Sequence, residues 1–271
     1  MEFSVLMSVY VKENPEFLRA ALDSLLNQTV VPNQIVIVKD GPLTKALDHL
    51  IEEYQSNFAT LFYIVSLKEN KGLGIALQKG LEACKFPLVA RMDGDDICAS
   101  NRFEKQLQIF QSDKNLDLVG SSIQEFEGDI TNIISNRKVP STHEEIRKFA
   151  KKRNPFNHMT VMYKKKAVLE AGNYQDFLWN EDYYLWIRML LSGARCANLS
   201  EPLVFARTGV EMFGRRGGLK YAKVEFKLQC YLLSKKFINL WEFLRNITIR
   251  MTTRLVPNSL RKIIYLRLIH K

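Results

Sequence analysis

The chain has 271 residues with 46% hydrophobic and 25% charged side chains, the profile of a globular protein built as one large α/β domain with room for an appended helical segment. No apolar run reaches the roughly 18 residues of a membrane span, Glu2 stands where a secretory signal would be basic, and Cys84, Cys98, Cys196 and Cys230 are too scattered for a disulfide framework or a paired metal site, so a cytoplasmic protein with reduced thiols is expected. The net charge of +10 is uneven: residues 1–135 hold 12 Lys+Arg against 19 Asp+Glu, and residues 213–271 hold 14 against 2, a tail suited to an anionic membrane surface, a phosphorylated substrate or nucleic acid.

Phe3–Tyr10 is a β-rich apolar run, and Asn14-Pro15 then offers an N-cap with proline at the first helical position. Leu18, Leu22, Leu25 and Leu26 line one face of the helix that follows. Gln34–Lys39 (QIVIVK) predicts a buried strand that must turn at Asp40-Gly41-Pro42. A helix is expected over about 43–55 and a strand over Leu61–Ser66. Lys71-Gly72-Leu73-Gly74 opens a helix running to about Cys84, and Leu88–Met92 reads as a fourth strand. This alternation predicts a parallel sheet with helices on both faces. Ligands bind beyond the carboxyl ends of such strands, where Tyr10, Asp40 and Asp93 stand. Further along, a helix is predicted at about 102–112 and a strand at about 117–123. Ser141-Thr142-His143-Glu144 resembles a capping box before a short basic helix. Thr160–Tyr163 reads as a strand, a short helix stops at Gly172, and a strong helix runs from Asn180 or Glu181 to Gly193. From Gly217, apolar residues keep 3/4 spacing from Leu219 to Leu244, and Ser259–Ile269 repeats an amphipathic pattern with Arg261, Lys262 and Arg267.

Asp93-Gly94-Asp95-Asp96 follows the fourth strand. Residues two apart in an extended chain face the same way, so Asp93 and Asp95 can converge on one cation. Gly94 permits a sharp turn and keeps a side chain out of a ligand's approach. Oxygen donors without His or Cys suit Mg²⁺ or Mn²⁺ bridged to phosphates; the competing reading is an acidic turn before a helix. Glu181-Asp182 begins a helix on which Asp182 shares a face with Leu185, Trp186 and Met189, the inward face. Such a pair can simply complement the helix dipole, which lowers a carboxyl pKa, whereas burial and a second carboxylate raise it. His158, as a lone histidine, is more often structural than functional. Arg207, and Arg215 in the loop Phe213-Gly214-Arg215-Arg216-Gly217-Gly218, are phosphate candidates because guanidinium pairs bidentately with phosphate oxygens.

The segments SVLMSVYVKENPEFLRAALDSLLNQT (4–29), IVIVKDGP (35–42), NKGLGIALQKGL (70–81), ARMDGDD (90–96), NPFNHMTVMYKK (154–165) and NEDYYLWIRML (180–190), taken in this order, resemble the family 2 inverting glycosyltransferases of the GT-A fold, particularly bacterial enzymes that build O-antigen and capsule repeat units. The resemblance implies a GT-A catalytic domain over 1–212, a mostly parallel α/β sheet flanked by helices. Residues 1–100 would be its nucleotide-binding half and 101–212 its acceptor-binding half, with a basic amphipathic helical segment over 213–271. It implies that Tyr10 stacks on the uracil of a UDP-sugar, that Glu13 lies near the base or ribose, and that Asp40 accepts a hydrogen bond from uracil N3. Gly72 and Arg91 would approach the donor and Asp93 its ribose or sugar. Asp95, helped by Asp93, would hold Mn²⁺ or Mg²⁺ against the diphosphate. Asp182 is the implied general base, with Glu181 as the alternative, and His158 and Trp179 are implied acceptor contacts. The implied reaction is inverting transfer of a hexose, Gal or Glc in β-1,3 linkage, to a sugar such as GlcNAc on a polyprenyl diphosphate. The enzyme would sit peripherally on the inner face of the cell membrane, with its tail on the anionic leaflet.

Rival classes fit less well. A dinucleotide-binding glycine signature fails because Leu77 stands at the third glycine and the motif follows the third strand rather than the first. P-loop, HExxH and G-x-S-x-G patterns are absent from the sequence. A nucleic-acid binder using the basic tail leaves the strand-end carboxylates unexplained, since they repel phosphate unless a metal intervenes. No nucleic-acid partner is therefore expected, and a different nucleotide-sugar donor is the remaining alternative.

Overall fold

The computed structural model describes residues 1–208 and 218–255. Strands β1 (Phe3–Val9), β2 (Gln34–Lys39), β3 (Phe62–Ser66) and β4 (Leu88–Arg91) alternate with helices α1 (Pro15–Leu26), α2 (Lys45–Asn57) and α3 (Leu73–Ala83). They lie in the order β3-β2-β1-β4, all parallel. In β2, Ile35 and Ile37 face one layer and Val36 and Val38 the other, all fully buried. Burial on both faces is why this strand reads as an unbroken apolar run rather than an alternation. The Asn14 side chain caps α1 by accepting from Glu16 N at 2.8 Å. α2 starts two residues later than the spacing suggests because Thr44 is its N-cap, accepting from Leu47 N.

The rest of the chain comprises β5 (Ile97–Cys98), α4 (Arg102–Ser112), β6 (Leu116–Phe126), β7 (Ile133–Arg137), α5 (His143–Ala150), a 3₁₀ turn at His158–Thr160, β8 (Met162–Lys164), α6 (Lys165–Glu170), α7 (Glu181–Leu191), β9 (Arg195–Arg207), α8 (Leu219–Ser234) and α9 (Leu240–Leu255). β8 joins the two halves of the sheet, antiparallel to both β4 and β6. β9 runs parallel to β6 along its length, β5 pairs antiparallel with β9, and β7 pairs antiparallel with the end of β6. β5, β7 and β9 are absent from the sequence expectation. β9 hides itself because Asn198, Ser200, Glu201 and Pro202 interrupt its apolar pattern, and its register against β6 shifts where Pro202 has no N–H to give. The capping box also sits one residue later than expected: Thr142 and Glu145 exchange the two bonds, not Ser141 and Glu144.

Helices α1, α2 and α4 cover one face of the sheet, and α3, α7 and α8 cover the other around the fully buried Trp186. The apolar pattern over 219–244 is not one helix. It breaks at Lys236, whose φ of +54° ends α8 in a Schellman turn closed by Phe237 N to Leu232 O and Lys236 N to Leu233 O. α8 packs on the α7 side of the sheet, burying Leu228 and Leu232 and setting Tyr231 edge-on to Tyr184 of α7 at 4.7 Å. α9 is fastened by Asn246 Nδ2, which donates to Lys151 O and Gln229 Oε1. No helix among the described residues is long and apolar enough to cross a membrane. The amphipathic stretch Ser259–Ile269 and the loop carrying Arg215 lie outside the described residues.

Candidate active site

β1, β2 and β4 are adjacent and parallel, so Tyr10, Asp40 and Asp93 arrive at one edge of the sheet, as the strand-end rule anticipates. Tyr10 is part-buried there, and its carbonyl accepts from Glu13 N in the turn that brings Glu13 round. Asp40 is buried, and its carboxylate accepts from Lys71 N at 2.7 Å and Gly72 N at 3.1 Å. Asp40 therefore holds the loop that starts α3, where Gly72 takes a φ of +84° that favours glycine. Two residues on, Gly74 is required by close approach: a methyl there would lie 2.5 Å from Gln175 O and 3.2 Å from Glu181 Cβ. That contact seats the start of α7 against α3.

Beyond β4, Asp93, Asp95 and Asp96 each place a carboxylate oxygen within 4.8 Å of the others. Gly94 is not demanded by backbone strain, and a methyl on it would meet Leu18 Cδ1 at 3.6 Å and Glu13 Oε2 at 3.9 Å, ordinary contacts. The chain does bend at Gly94 and Asp95, but without a conformation that only glycine adopts, and Glu13 lies against the cluster. Burial and then the Asp93 charge push the Asp95 carboxyl up to about 6. Burial and the charges of Asp93 and Asp95 push Asp96 well above the usual carboxylate range. Asp96 Oδ1 accepts from Arg207 N at 2.8 Å, but buried Oδ2 has no partner. Crowded oxygen donors with one buried lone pair set unanswered fit a small hard cation such as Mg²⁺ or Mn²⁺.

Two arginines brace this cluster. Arg91, the last residue of β4, is buried and pairs with Asp93, so it stands beneath the site and aims Asp93. Its own backbone carbonyl accepts from the buried Arg102 Nη2 at 2.8 Å, and Arg102 is in turn tied to Gln106. Neither Arg102 nor Gln106 figures among the sequence candidates; their signal was two polar residues four apart on an otherwise buried face of α4. Arg207 reaches the cluster too. Its guanidinium lies between the rings of Phe17 and Phe126, at 3.9 and 4.6 Å, and donates to Asp95 O and Gly128 O.

The second acidic group opens α7. Asp182 is part-buried, accepting from Asn154 Nδ2 and from Tyr183 N, both at 2.6 Å. Burial raises its pKa while these two bonds pull it down. Glu181 is buried, and burial followed by the Asp182 charge lifts its carboxyl to about 7, with a further push from Asp93. Burial thus overrides the helix dipole in both. The Asp93 charge felt by Glu181 links this pair to the strand-end cluster, and Arg91 acts on both groups. Asn154 was also missed, although its segment was singled out.

His158 lies in an aromatic box with Tyr174 and Trp186. Its Nε2 is 3.1 Å from Tyr174 Oη, and burial, then the Arg91 charge, keep the ring neutral. Among the described residues it is not part of the group of acids that could hold a metal. Trp179, directly before Asn180-Glu181-Asp182, has a φ of +62°, unusual for an aromatic residue. Its ring stacks on Tyr221 of α8 at 5.0 Å and 17°, with Lys220 Nζ 5.7 Å from it, and part of the indole stays exposed.

Known proteins bear on this geometry. The full chain is 42% identical to an uncharacterized glycosyltransferase of Haemophilus influenzae, each chain covered completely. Over 270 residues it is 37% identical to the Escherichia coli UDP-Gal:alpha-D-GlcNAc-diphosphoundecaprenol beta-1,3-galactosyltransferase, covering 100% of this chain and 97% of that one. It is 40% identical to the amylovoran biosynthesis glycosyltransferase AmsE of Erwinia amylovora, covering 97% of each. In structure it resembles S. aureus TarS 1–349 in complex with UDP-GlcNAc, with a TM-score of 0.70 at 16% identity over 99% of this chain and 76% of that one, a likeness of the GT-A fold. The model of glycosyl transferase family 2 matches residues 4–174, and the chain belongs to that family.

Proposed function

We propose that the chain transfers galactose or glucose from its UDP-sugar, with inversion and in β-1,3 linkage, to GlcNAc carried on a polyprenyl diphosphate at the cytoplasmic face of the cell membrane. The observation that carries this reading is the electrostatic meeting of two acidic groups, one of three carboxylates within 4.8 Å and one a raised-pKa pair at a helix start. The donor and linkage follow the name of the E. coli relative. Residues 1–100 serve the nucleotide and 101–212 the acceptor.

Tyr10 stacks on uracil, with Glu13 and Asp40 near the base and ribose and Gly72 beside the diphosphate. Asp95, with Asp93, would hold Mn²⁺ or Mg²⁺, which when bound neutralises the departing diphosphate as a Lewis acid. Arg91 keeps Asp93 in place, and Arg207 secures the backbone of the cluster. Asp182 takes the proton of the attacking acceptor hydroxyl, held in position by Asn154. Trp179 offers its ring to the acceptor sugar. The test is transfer from UDP-Gal, UDP-Glc, UDP-GlcNAc and GDP-sugars to a GlcNAc-diphospholipid, with and without EDTA. Turnover with UDP-Gal or UDP-Glc that EDTA abolishes is expected; full turnover in EDTA would overturn the metal role.

A further inference from the structure

The corner where α8 meets α9 has no part in the chemistry above, yet it sets exposed apolar side chains beside a basic groove. Leu240, Trp241 and Leu244, at positions i, i+1 and i+4 of the first turn of α9, are 61%, 82% and 48% exposed. The opposite face of α9 is the one that holds the domain, through Asn246 and through Glu242 against Lys151. Beside this apolar turn runs a groove of about 600 Å³ lined by Arg147, Lys148, Lys151, Lys152 and Lys236, with Glu242 the acid in its lining. Glu242 is committed to Lys151, whereas Lys148, Lys152 and Lys236 are exposed and make no ion pair among the described residues. Lys236 holds the left-handed position that ends α8, where glycine is the usual occupant, so a charge is placed at this corner against backbone preference.

A largely exposed indole flanked by leucines and unpaired lysines suits the boundary between lipid headgroups and acyl chains. There the ring's apolar body and polar N–H are both accommodated, and cations meet anionic headgroups. Charge complementarity therefore selects the occupant. We infer that the α8–α9 corner is a docking surface for an anionic phospholipid bilayer, with Leu240, Trp241 and Leu244 entering the interface and Lys148, Lys152 and Lys236 reading the headgroups. α9 runs from this corner to Arg250, which lies 6.0 Å from the ring of Tyr183, the neighbour of Asp182. The docked helix thus leads along the membrane to the base-bearing end of α7. The purpose of docking rests on the lipid-linked acceptor of the proposed function; the surface itself does not.

The test uses the full chain and vesicles of phosphatidylcholine with or without phosphatidylglycerol. Cosedimentation is expected only with the anionic vesicles. Brominated lipid should quench a fluorescence component that Trp241→Phe removes. The triple variant Lys148→Ala/Lys152→Ala/Lys236→Ala should bind roughly 100-fold more weakly, about fivefold per cation, and Trp241→Glu/Leu244→Glu should fall at least tenfold. Both variants should transfer normally to a water-soluble short-chain diphosphate acceptor, which also shows that they fold. Equal binding to neutral vesicles, or variants that bind like wild type, overturns the inference. So does a dimer in solution that Trp241→Glu dissolves, because it gives this face to a second copy. Vesicle binding by a wild-type chain that transfers to no acceptor would instead fault the transferase reading and leave the docking surface standing.

Discussion

The two acidic groups of the site are built from the same side chains and solve opposite problems. Asp93, Asp95 and Asp96 crowd three carboxylates within 4.8 Å and leave Asp96 Oδ2 buried without a partner. Glu181 and Asp182 are neighbours on one helix turn, and Asp182 is fully engaged by Asn154 and Tyr183 N. Burial raises pKa values in both groups. Under the proposed function, the excess charge of the first group would be answered by a cation, and that of the second, where a third carboxylate is lacking, by a proton.

Substitutions can break this division, beginning with the largest effect. Asp95→Ala should lower transfer about 10³-fold or more, and added Mn²⁺ should not restore it, as measured by radiolabelled sugar incorporation. Asp182→Asn should cost about 10²–10⁴-fold in kcat while UDP binding, followed by calorimetry, changes little; near-normal turnover would remove Asp182 from the proton step. Asn154→Ala leaves the carboxylate held by Tyr183 N alone, and about a tenfold loss in kcat with KM for the donor unchanged is expected.

The pH profile distinguishes the two acids of the pair. A base works only when deprotonated, and a raised pKa moves the acid limb upward. Glu181, at about 7, takes the first proton as pH falls. If Asp182 is the base, kcat/KM falls in an acid limb raised above the usual carboxylate range, and Glu181→Gln leaves that limb in place. A limb centred near 7 that Glu181→Gln abolishes would hand the proton to Glu181. The smallest effect is on stability. Asp96→Asn removes a buried charge repelled by two others yet keeps an acceptor for Arg207 N, so metal-free Tm should rise by about 2–4 °C while the Mn²⁺-induced shift shrinks. A lower Tm would mean that Asp96 serves mainly to hold Arg207.

The parallel half of the sheet was legible because its signals are local: apolar runs with two buried faces, a cap at Asn14 and a turn at Asp40-Gly41. The second, mixed half was less so. β9 carries Pro202 and a polar stretch, and it is a strand because β6 lies along it; the pairing energy that makes it one is spread over partners some 80 residues away in sequence. The same non-locality hid Asn154 and Arg102, whose importance rests on what they touch.

By itself, the sequence determined the strand–helix order, the acidic turn after β4 and the acidic pair opening α7, because each is written in a few consecutive residues. Only the tertiary structure decided that Arg91 is buried against Asp93, that Asp40 spends its carboxylate on the Gly72 loop, and that Gly74 lets α7 close against α3. These depend on which side chains burial brings within a few ångströms, and that depends on packing rather than on any local pattern.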